Sequence, residues 1–476
     1  MNNAYNRRTF LANTGMGVTG MALSAMLFKD GVTQAASQQD VGPHFEQRAK
    51  SVIWIFLIGG LSHLESFDPK SALNRYAGKS IEDTPFAKSI LDKDKINENL
   101  LDPDKQKRDI FKTVMPLQTG YQPYGQSGIE ISDWFPHIGS CADDISFLRS
   151  MWTTDDNHGA QVQFHSGRHM LDGRYPTIGS WVTYGLGSFN ENLPQFLNVG
   201  PRYFGKRDAY YLGPAYEPVT LKVDPKNPLP YASPEGAMTG AEQRLEFDLV
   251  NRLNKLTARQ FPNDAALEAR IKSYELAYRM QAAVPEVLSF DSESADTKKL
   301  YGLDNSVTKP FGEQLLVARR MVERGVRFIQ IMHGTGAAGA WDAHSGLQAN
   351  HSKLSAQVDL PAAGLLNDLK QRGMLDETLV VFATEFGRTP GSQGTTGRDH
   401  HPYGFSVWMA GGGLKGGIAH GTTDEIGFHA EQDRHYVTDV HATLLHQLGL
   451  NHHAMEVPGH KRLDRDFGYV IDPIIA

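Results

Sequence analysis

Short apolar runs alternate with longer amphipathic stretches along the second half of this chain. EQLLVARRMVERG, VRFIQIM, VDLPAAGLLNDLKQRG, TLVVFAT, FSVWMAGGG and VTDVHATLLHQLGL follow one another from Glu313 to Leu450. The first, third and last space their apolar residues at three and four and predict helices. The others are apolar throughout, as strands buried on both faces must be. SVIWIFLIGG (Ser51 to Gly60) and DISFLRSM (Asp144 to Met151) predict two more such strands. Helices alternating with strands of this kind predict an α/β fold around a mostly parallel central sheet. EQRLEFDLVNRLNKL and LEARIKSYELAYRMQAA, between Gly240 and Ser289, predict two long amphipathic helices. The lysine- and aspartate-rich LDKDKINENLLDPDKQKRD predicts a solvated excursion away from the core.

Composition narrows the function classes. The 476 residues, 40% hydrophobic and 21% charged, suffice for one large core or two domains. A net charge of -7 leaves no basic footprint for nucleic acid, so a small or polymeric substrate is the expected partner. Cys141 is the single cysteine, which excludes an internal disulfide and a cysteine-built zinc cluster. Any metal must come to His, Asp and Glu, and 19 histidines can supply it.

The N-terminus predicts the compartment. Arg7-Arg8 precede a weakly apolar segment rich in Gly, Ala and Thr, and small residues around Ala35 and Ala36 suit a signal peptidase. Residues 1–36 therefore predict a twin-arginine signal, 37–50 a linker, and 51–476 one domain with insertions at 70–130 and 200–310. The apolar segment is too short and too polar to span a bilayer, so the mature protein is expected to be periplasmic or secreted, without a membrane span. The twin-arginine translocase is its expected partner during export.

In open α/β sheets ligands gather beyond the carboxyl ends of the strands. IWIFLIGG leads to His63, Glu65 and Asp68. VRFIQIM leads to His333, then to Asp342 and His344. TLVVFAT leads to Glu385, then to Asp399, His400 and His401. DISFLRSM leads to Asp155, Asp156, Asn157 and His158. Carboxylates mixed with imidazoles suit a divalent metal, zinc or manganese before calcium. At least three of Asp342, His344, Glu385, His400 and His401 are expected to meet at one position, with Asp399 orienting a histidine through its other ring nitrogen. Arg388 and Arg398 can grip an anionic substrate or pair with a neighbouring carboxylate. His441 and His446 fall on the apolar spacing of a helix and read as structural.

Several stretches are familiar together: GGLSHLESFDPK, ISFLRSM with NHGAQ, TIGSWVTYGLGS, ARIKSYELAYRMQ, RRMVERGVRFIQ with WDAH, LNDLKQRGMLDETLVVFATEFGRTP, GRDHHPYGFSVWMAGGGLKGG and DVHATLLHQLGL. Through them the chain, from about residue 51 to its end, resembles a family of twin-arginine-exported, sulfatase-like bacterial proteins, a domain of unknown function within the alkaline phosphatase superfamily. The resemblance implies an alkaline-phosphatase-like sheet with helices on both faces, and a metal-dependent hydrolase of a sulfate or phosphate ester, carried on a glycan in one version. It implies Asp342 and His344 as ligands of one metal, His400 or His401 completing that site, and Glu385 facing a second metal.

The chain departs from that pattern in three places. Phe386 stands where a histidine is expected. The first strand ends in Gly59-Gly60, which leaves His63, Glu65 or Asp68 as substitute ligands. No nucleophile stands in register at Asn157-His158, the nearest hydroxyls being Thr153 and Thr154. Cys141 is followed by ADDIS, which excludes the formylglycine route. What remains is a metal that polarises the ester and activates water, with His158, Asn157 and Arg388 as catalytic candidates. The alternative is a non-catalytic exported protein of the same fold, acting in binding or assembly.

If Arg7 and Arg8 are the translocation signal, replacing both by Lys leaves uncleaved precursor in the cytoplasm. Fractionation of cells expressing the double variant checks this, and normal periplasmic accumulation contradicts it.

Overall fold

The structure is a computed structural model and describes residues 42–98, 110–190, 192–201, 208–224, 240–260, 271, 275–276, 279–280, 284–336, 338–463 and 466–476. The proposed export signal lies outside them, as does most of LEARIKSYELAYRMQAA.

The apolar runs form the strands they predict: β1 (Ser51–Leu57), β2 (Ile145–Trp152), β5 (Phe328–His333), β6 (Thr378–Thr384) and β9 (Phe405–Ala410). Four further strands complete the central sheet: β3 (Phe196–Val199), β4 (Val219–Leu221), β10 (Ile418–His420) and β11 (His435–Tyr436). Strand order is β10-β2-β9-β6-β1-β5-β3-β4, with β11 also on β2. Only β9 runs antiparallel to its neighbours β2 and β6. The fold is α/β with a mostly parallel sheet, as the alternation predicts.

β1 shows why the sheet is a middle layer. Ile53, Ile55 and Leu57 point into a cluster with Leu315, Leu316 and Val358, from α4 (Lys309–Val322) and α5 (Leu347–Gln371). Val52, Trp54 and Phe56 point the other way, to Phe164 of α1 (Ala160–Ser166), Trp181 of α2 (Ile178–Leu186) and Leu444 of α6 (Val437–Gln447). Side chains alternate across a strand, so a strand apolar at every position must be covered twice. α5 begins eleven residues before the VDLPAAGLLNDLKQRG pattern and carries Pro361 inside it. A third, smaller cluster joins Leu73, Ile81, Ile90 and Val114, which flank the lysine-rich stretch, to Leu64, Tyr403 and Phe428. EQRLEFDLVNRLNKL lies in a further helix, α3 (Gly240–Gln260). No helix among the described residues is long and apolar enough to cross a membrane.

The glycine-rich stretch after Glu385, for which the apolar pattern predicts no strand, forms a buried antiparallel hairpin, β7 (Gly387–Gln393) and β8 (Gly397–His401), with a register shift between Arg398 and His400. Its glycines and prolines hide the strand pattern, while pairing within the hairpin supplies the backbone partners that burial demands.

The strand ends finish level. Leu57 stands opposite His333 on one side and Thr384 on the other. Just beyond, Gly59 (φ +122°) passes so close to the backbone of Trp341 and Asp342 that an added Cβ would sit 2.5 Å from Asp342 N. A side chain there meets both strain and a clash. Gly59→Ala is therefore expected to lose at least about 1–3 kcal/mol of stability, read as a lowered urea midpoint.

Candidate metal centre

Asp342 follows Trp341, and Trp341 is locked. Its indole Nε1 donates to His333 Nδ1 (3.0 Å), and its backbone N–H donates to Ile58 O (3.1 Å). Burial pushes the His333 pKa down to about 4, so this ring is a neutral acceptor at the end of β5. The Asp342 carboxylate thus leaves a fixed backbone. It receives Arg388 Nη2 on Oδ1 (2.8 Å) and faces His158 Nε2 from Oδ2 (3.3 Å).

Two more histidines close on the same oxygen. His344 Nε2 and His400 Nε2 each lie 3.0 Å from Asp342 Oδ1, and 3.1 Å from one another. Their other nitrogens fix the tautomers. His400 Nδ1 lies 3.0 Å from the Asp156 carbonyl oxygen, and His344 Nδ1 lies 2.6 Å from Gln393 Oε1 and 3.3 Å from Asp399 Oδ1. Each Nδ1 faces acceptors and carries a hydrogen, so each ring turns Nε2 toward Asp342 Oδ1, where it can donate a hydrogen bond or, without that hydrogen, offer a lone pair to a cation. A second proton on both rings would instead set two cations 3.1 Å apart. Three potential ligand atoms in a triangle of this size approach the separation of about 3.3 Å that ligands hold around a tetrahedral metal at 2.0–2.1 Å. The residues present fit a divalent metal. His158, Asp342 and His400, and His344, Asp399 and His400, likewise bring ligand atoms within 4.8 Å of one another.

His158 closes the far side. Its Nδ1 lies 3.2 Å from Glu385 Oε1, so both ring nitrogens face carboxylates. Burial alone lowers its pKa, but hydrogen bonds to Asp342 and Glu385 outweigh this and push it up to about 9. For Asp342 burial works upward and is outweighed by hydrogen bonds from His158, His400 and Arg388, which hold the carboxyl well below its ordinary range. His158 is therefore an imidazolium clamped between two carboxylates.

A family described as protein of unknown function (DUF1501) matches residues 49–475. The chain belongs to that family. No curated protein matches it. Among solved structures it is similar to the phosphonate monoester hydrolase SpPMH from Silicibacter pomeroyi, at 14% identity over 71% of each chain with a TM-score of 0.34. It is also similar to the PsFucS1 sulfatase from Pseudoalteromonas sp., at 11% identity over 92% of this chain and 72% of that one, TM-score 0.34. A third is TAB5 alkaline phosphatase with Mg bound, at 10% identity over 77% of this chain and 92% of that one, TM-score 0.27. Likenesses this distant carry no argument about what the DUF1501 chain does.

Of the residues singled out in the sequence, Asp342, His344 and His400 come together, with Asp399 against His344 and His158 against Asp342. Glu385 lies one imidazole away. It is buried and already accepts from Gly59 N on both oxygens (2.9 and 3.1 Å) and from Gln161 Nε2 (3.3 Å). His401 is not brought to the cluster. Neighbours in a strand face opposite ways, so as His400 turns in, His401 turns out, to Phe428 O (2.6 Å) and the stacked ring of His63. Glu65 is held by Arg398 (2.7 Å) and the Ser62 hydroxyl. Asp68 is held by Lys70 (3.0 Å) and the Thr423 hydroxyl.

Arg388 and Arg398 are fully buried and offer no surface to a substrate. Arg388 serves Asp342 and the carbonyls of Gly59, Gly60, Trp341 and Arg398. Asn157 is exposed, and its Oδ1 accepts from the His158 backbone N–H (2.9 Å), capping the turn that presents the imidazole. Thr153 donates to Gln163 Oε1 (2.6 Å), and Thr154 meets the Tyr436 hydroxyl (3.4 Å). The sequence reading passed over Gln161 and Gln393, which touch the site only through folding. Gln161 closes the NHGAQ stretch, and nothing local to Gln393 marks it.

A group whose pKa rises on folding stabilises the protein below its unfolded pKa and ceases to above its folded one. For His158 that window runs from 6.5 to about 9. In chelator-treated protein, the melting temperature is expected to fall more across this range in wild type than in His158→Gln. Parallel curves contradict the clamp.

Proposed function

We propose that the chain is an exported, metal-dependent hydrolase of a sulfate or phosphate ester, with an anionic glycan ester as the class of substrate. One observation carries the metal: Asp342 Oδ1, His344 Nε2 and His400 Nε2 stand 3.0–3.1 Å apart in one triangle. Zinc or manganese suits two imidazoles and a carboxylate. The ester class is supported by the sulfatase-like stretches of the sequence, and export by Arg7-Arg8. A divalent cation in this triangle supplies a Lewis acid for an ester oxyanion.

The chain's own groups define the rest. Asp399 and Gln393 hold His344, the Asp156 carbonyl holds His400, and Arg388 with His158 fixes the Asp342 carboxylate so that Oδ1 faces both rings. His344 is the most open of these groups, with 36% of its side chain accessible, so substrate approaches over it. His158 is a donor at neutral pH and not a base. Its charge favours an anionic ester nearby, while its hydrogens remain committed to Asp342 and Glu385. With Thr153 and Thr154 bonded elsewhere, water attacks the ester's sulfur or phosphorus directly, the bond to the alcohol oxygen breaks, the alcohol leaves carrying a proton from the water, and no covalent enzyme intermediate forms. The same commitment of the two threonines favours the second reading, a metal-bearing protein of this fold that binds or assembles without turnover.

Purified, folded protein is expected to hold metal, measured by inductively coupled plasma mass spectrometry. His344→Ala and His400→Ala lose most of it, and His401→Ala keeps it. Loss in His401→Ala, or a full complement in the first two, contradicts the triangle. Hydrolysis of aryl sulfate or aryl phosphate esters that chelator abolishes supports the enzyme. Metal without turnover on any ester tested favours the binding protein, and a trapped phospho- or sulfo-threonine refutes direct attack by water.

A further inference from the structure

Arg462 is a buried cation without a counter-ion. The other fully buried arginines each meet a carboxylate: Arg319 with Glu293, Arg388 with Asp342 and Arg398 with Glu65. Arg462 is as deeply buried, and no carboxylate among the described residues lies beside it; its charged neighbour is a second guanidinium, Arg168. Its Nη2 donates to Phe467 O (3.2 Å), while Nε and Nη1 are buried without a hydrogen-bond partner. Burial lowers its pKa to about 9, and Arg168 adds to that, yet the group is still charged at neutral pH. An unpaired charge of this kind is costly, and a bound ion is what ordinarily relieves it.

The unpartnered atoms are grouped. Thr438 Oγ1 and His441 Nδ1, both on α6, are also buried without a partner. A Cβ added to Gly167 would lie 3.2 Å from Thr438 Cγ2, 3.2 Å from Leu463 Cδ2 and 3.5 Å from His441 Nδ1, so α6 and the segment carrying Arg462 meet at the turn that carries Arg168. Thr438 sits in the first turn of α6, where the helix dipole favours an anion. His441 Nε2 lies 2.8 Å from Phe164 O and carries the hydrogen, which leaves Nδ1 as a bare acceptor. Burial, and then the charge of Arg462, push its pKa down to about 3 and keep the ring neutral. Donors around one acceptor suit an oxyanion that itself bears a hydrogen. Phosphate keeps one at neutral pH and sulfate keeps none. The atoms lie below the surface, so the ligand is a small free ion and not an ester on a polymer.

We propose that Arg462, Thr438 and His441, with Arg168 at the rim, hold inorganic phosphate in preference to sulfate. The site shares no residue with the Asp342 cluster and does not rest on the hydrolase reading.

The test uses the whole mature chain in chloride buffer of constant ionic strength. Inorganic phosphate is expected to raise the wild-type melting temperature saturably. By calorimetry its dissociation constant rises about tenfold or more in Arg462→Met, the scale of charge-assisted hydrogen bonds, and also rises in Arg168→Met, which leaves the buried group in place. Sulfate binds wild type roughly tenfold more weakly than phosphate, for want of the hydrogen that meets His441. Without phosphate, Arg462→Met melts no lower than wild type, because an apolar side chain replaces an unpaired charge. A wild type indifferent to phosphate overturns the proposal, as does Arg462→Met that binds it undiminished, or sulfate that binds as tightly. Arg462→Met that melts well below phosphate-free wild type overturns it too, since the guanidinium is then paired within the chain; Asp464, outside the described residues, is its nearest carboxylate in sequence.

Discussion

A single buried guanidinium ties the strand ends at one edge of the sheet together. Arg388 donates to the carbonyls of Gly59 and Gly60 at the end of β1, to Trp341 beyond β5, to Arg398 across the hairpin, and to the Asp342 carboxylate. Burial alone disfavours the charged form, and the contact with Asp342 opposes it. Leaving a buried charge without its partner costs about 3–5 kcal/mol, so neither member of the pair can vary by itself. Three segments distant in sequence are thereby held to one point, and the carboxylate that collects the histidines is fixed before any ligand arrives.

The sheet makes that convergence reachable. β1 lies between β5 and β6 in level register, so the chain leaves all three at the same height. Thr384 stitches two of those exits, accepting from Leu61 N and donating to Leu57 O. β2 runs in the same direction two places beyond β6 and delivers the turn carrying Asn157 and His158. The antiparallel β9 brings the preceding hairpin back over the same edge. The central strands β1, β5 and β6 are buried at every position, which makes the mount rigid and leaves its ends as the place where polar side chains collect.

The fold was largely legible. Runs such as TLVVFAT are apolar at every position, a pattern that only double burial rewards, and all five of the strands they predict form. β3, β4, β10 and β11 are too short for a period to show. The site was legible in part. Asp342, His344 and His400 could be picked out because strand ends in a parallel sheet gather ligands, and they meet. His400 and His401 could not be told apart, since the choice depends on how β8 pairs with β7 and on the register shift at Arg398. For Arg388 a substrate grip and a carboxylate pair stayed open, because burial does not show in sequence, and it pairs with Asp342. Glu65 and Asp68 read as ligands because Arg398 and Lys70 lie far off or unremarkably near along the chain.

The sequence by itself determined which side chains can bear charge, hold a metal or fill a core, and where the strands that carry them stop. Those are properties of residue type and short-range period, which are local. The tertiary structure alone decided which carboxylate receives the histidines, which histidine of an adjacent pair turns inward, and that Glu385 is spent on Gly59 N and His158. Such choices follow from register, strand order and burial. They are settled by contacts between residues hundreds of positions apart, each worth little until the whole sheet has closed.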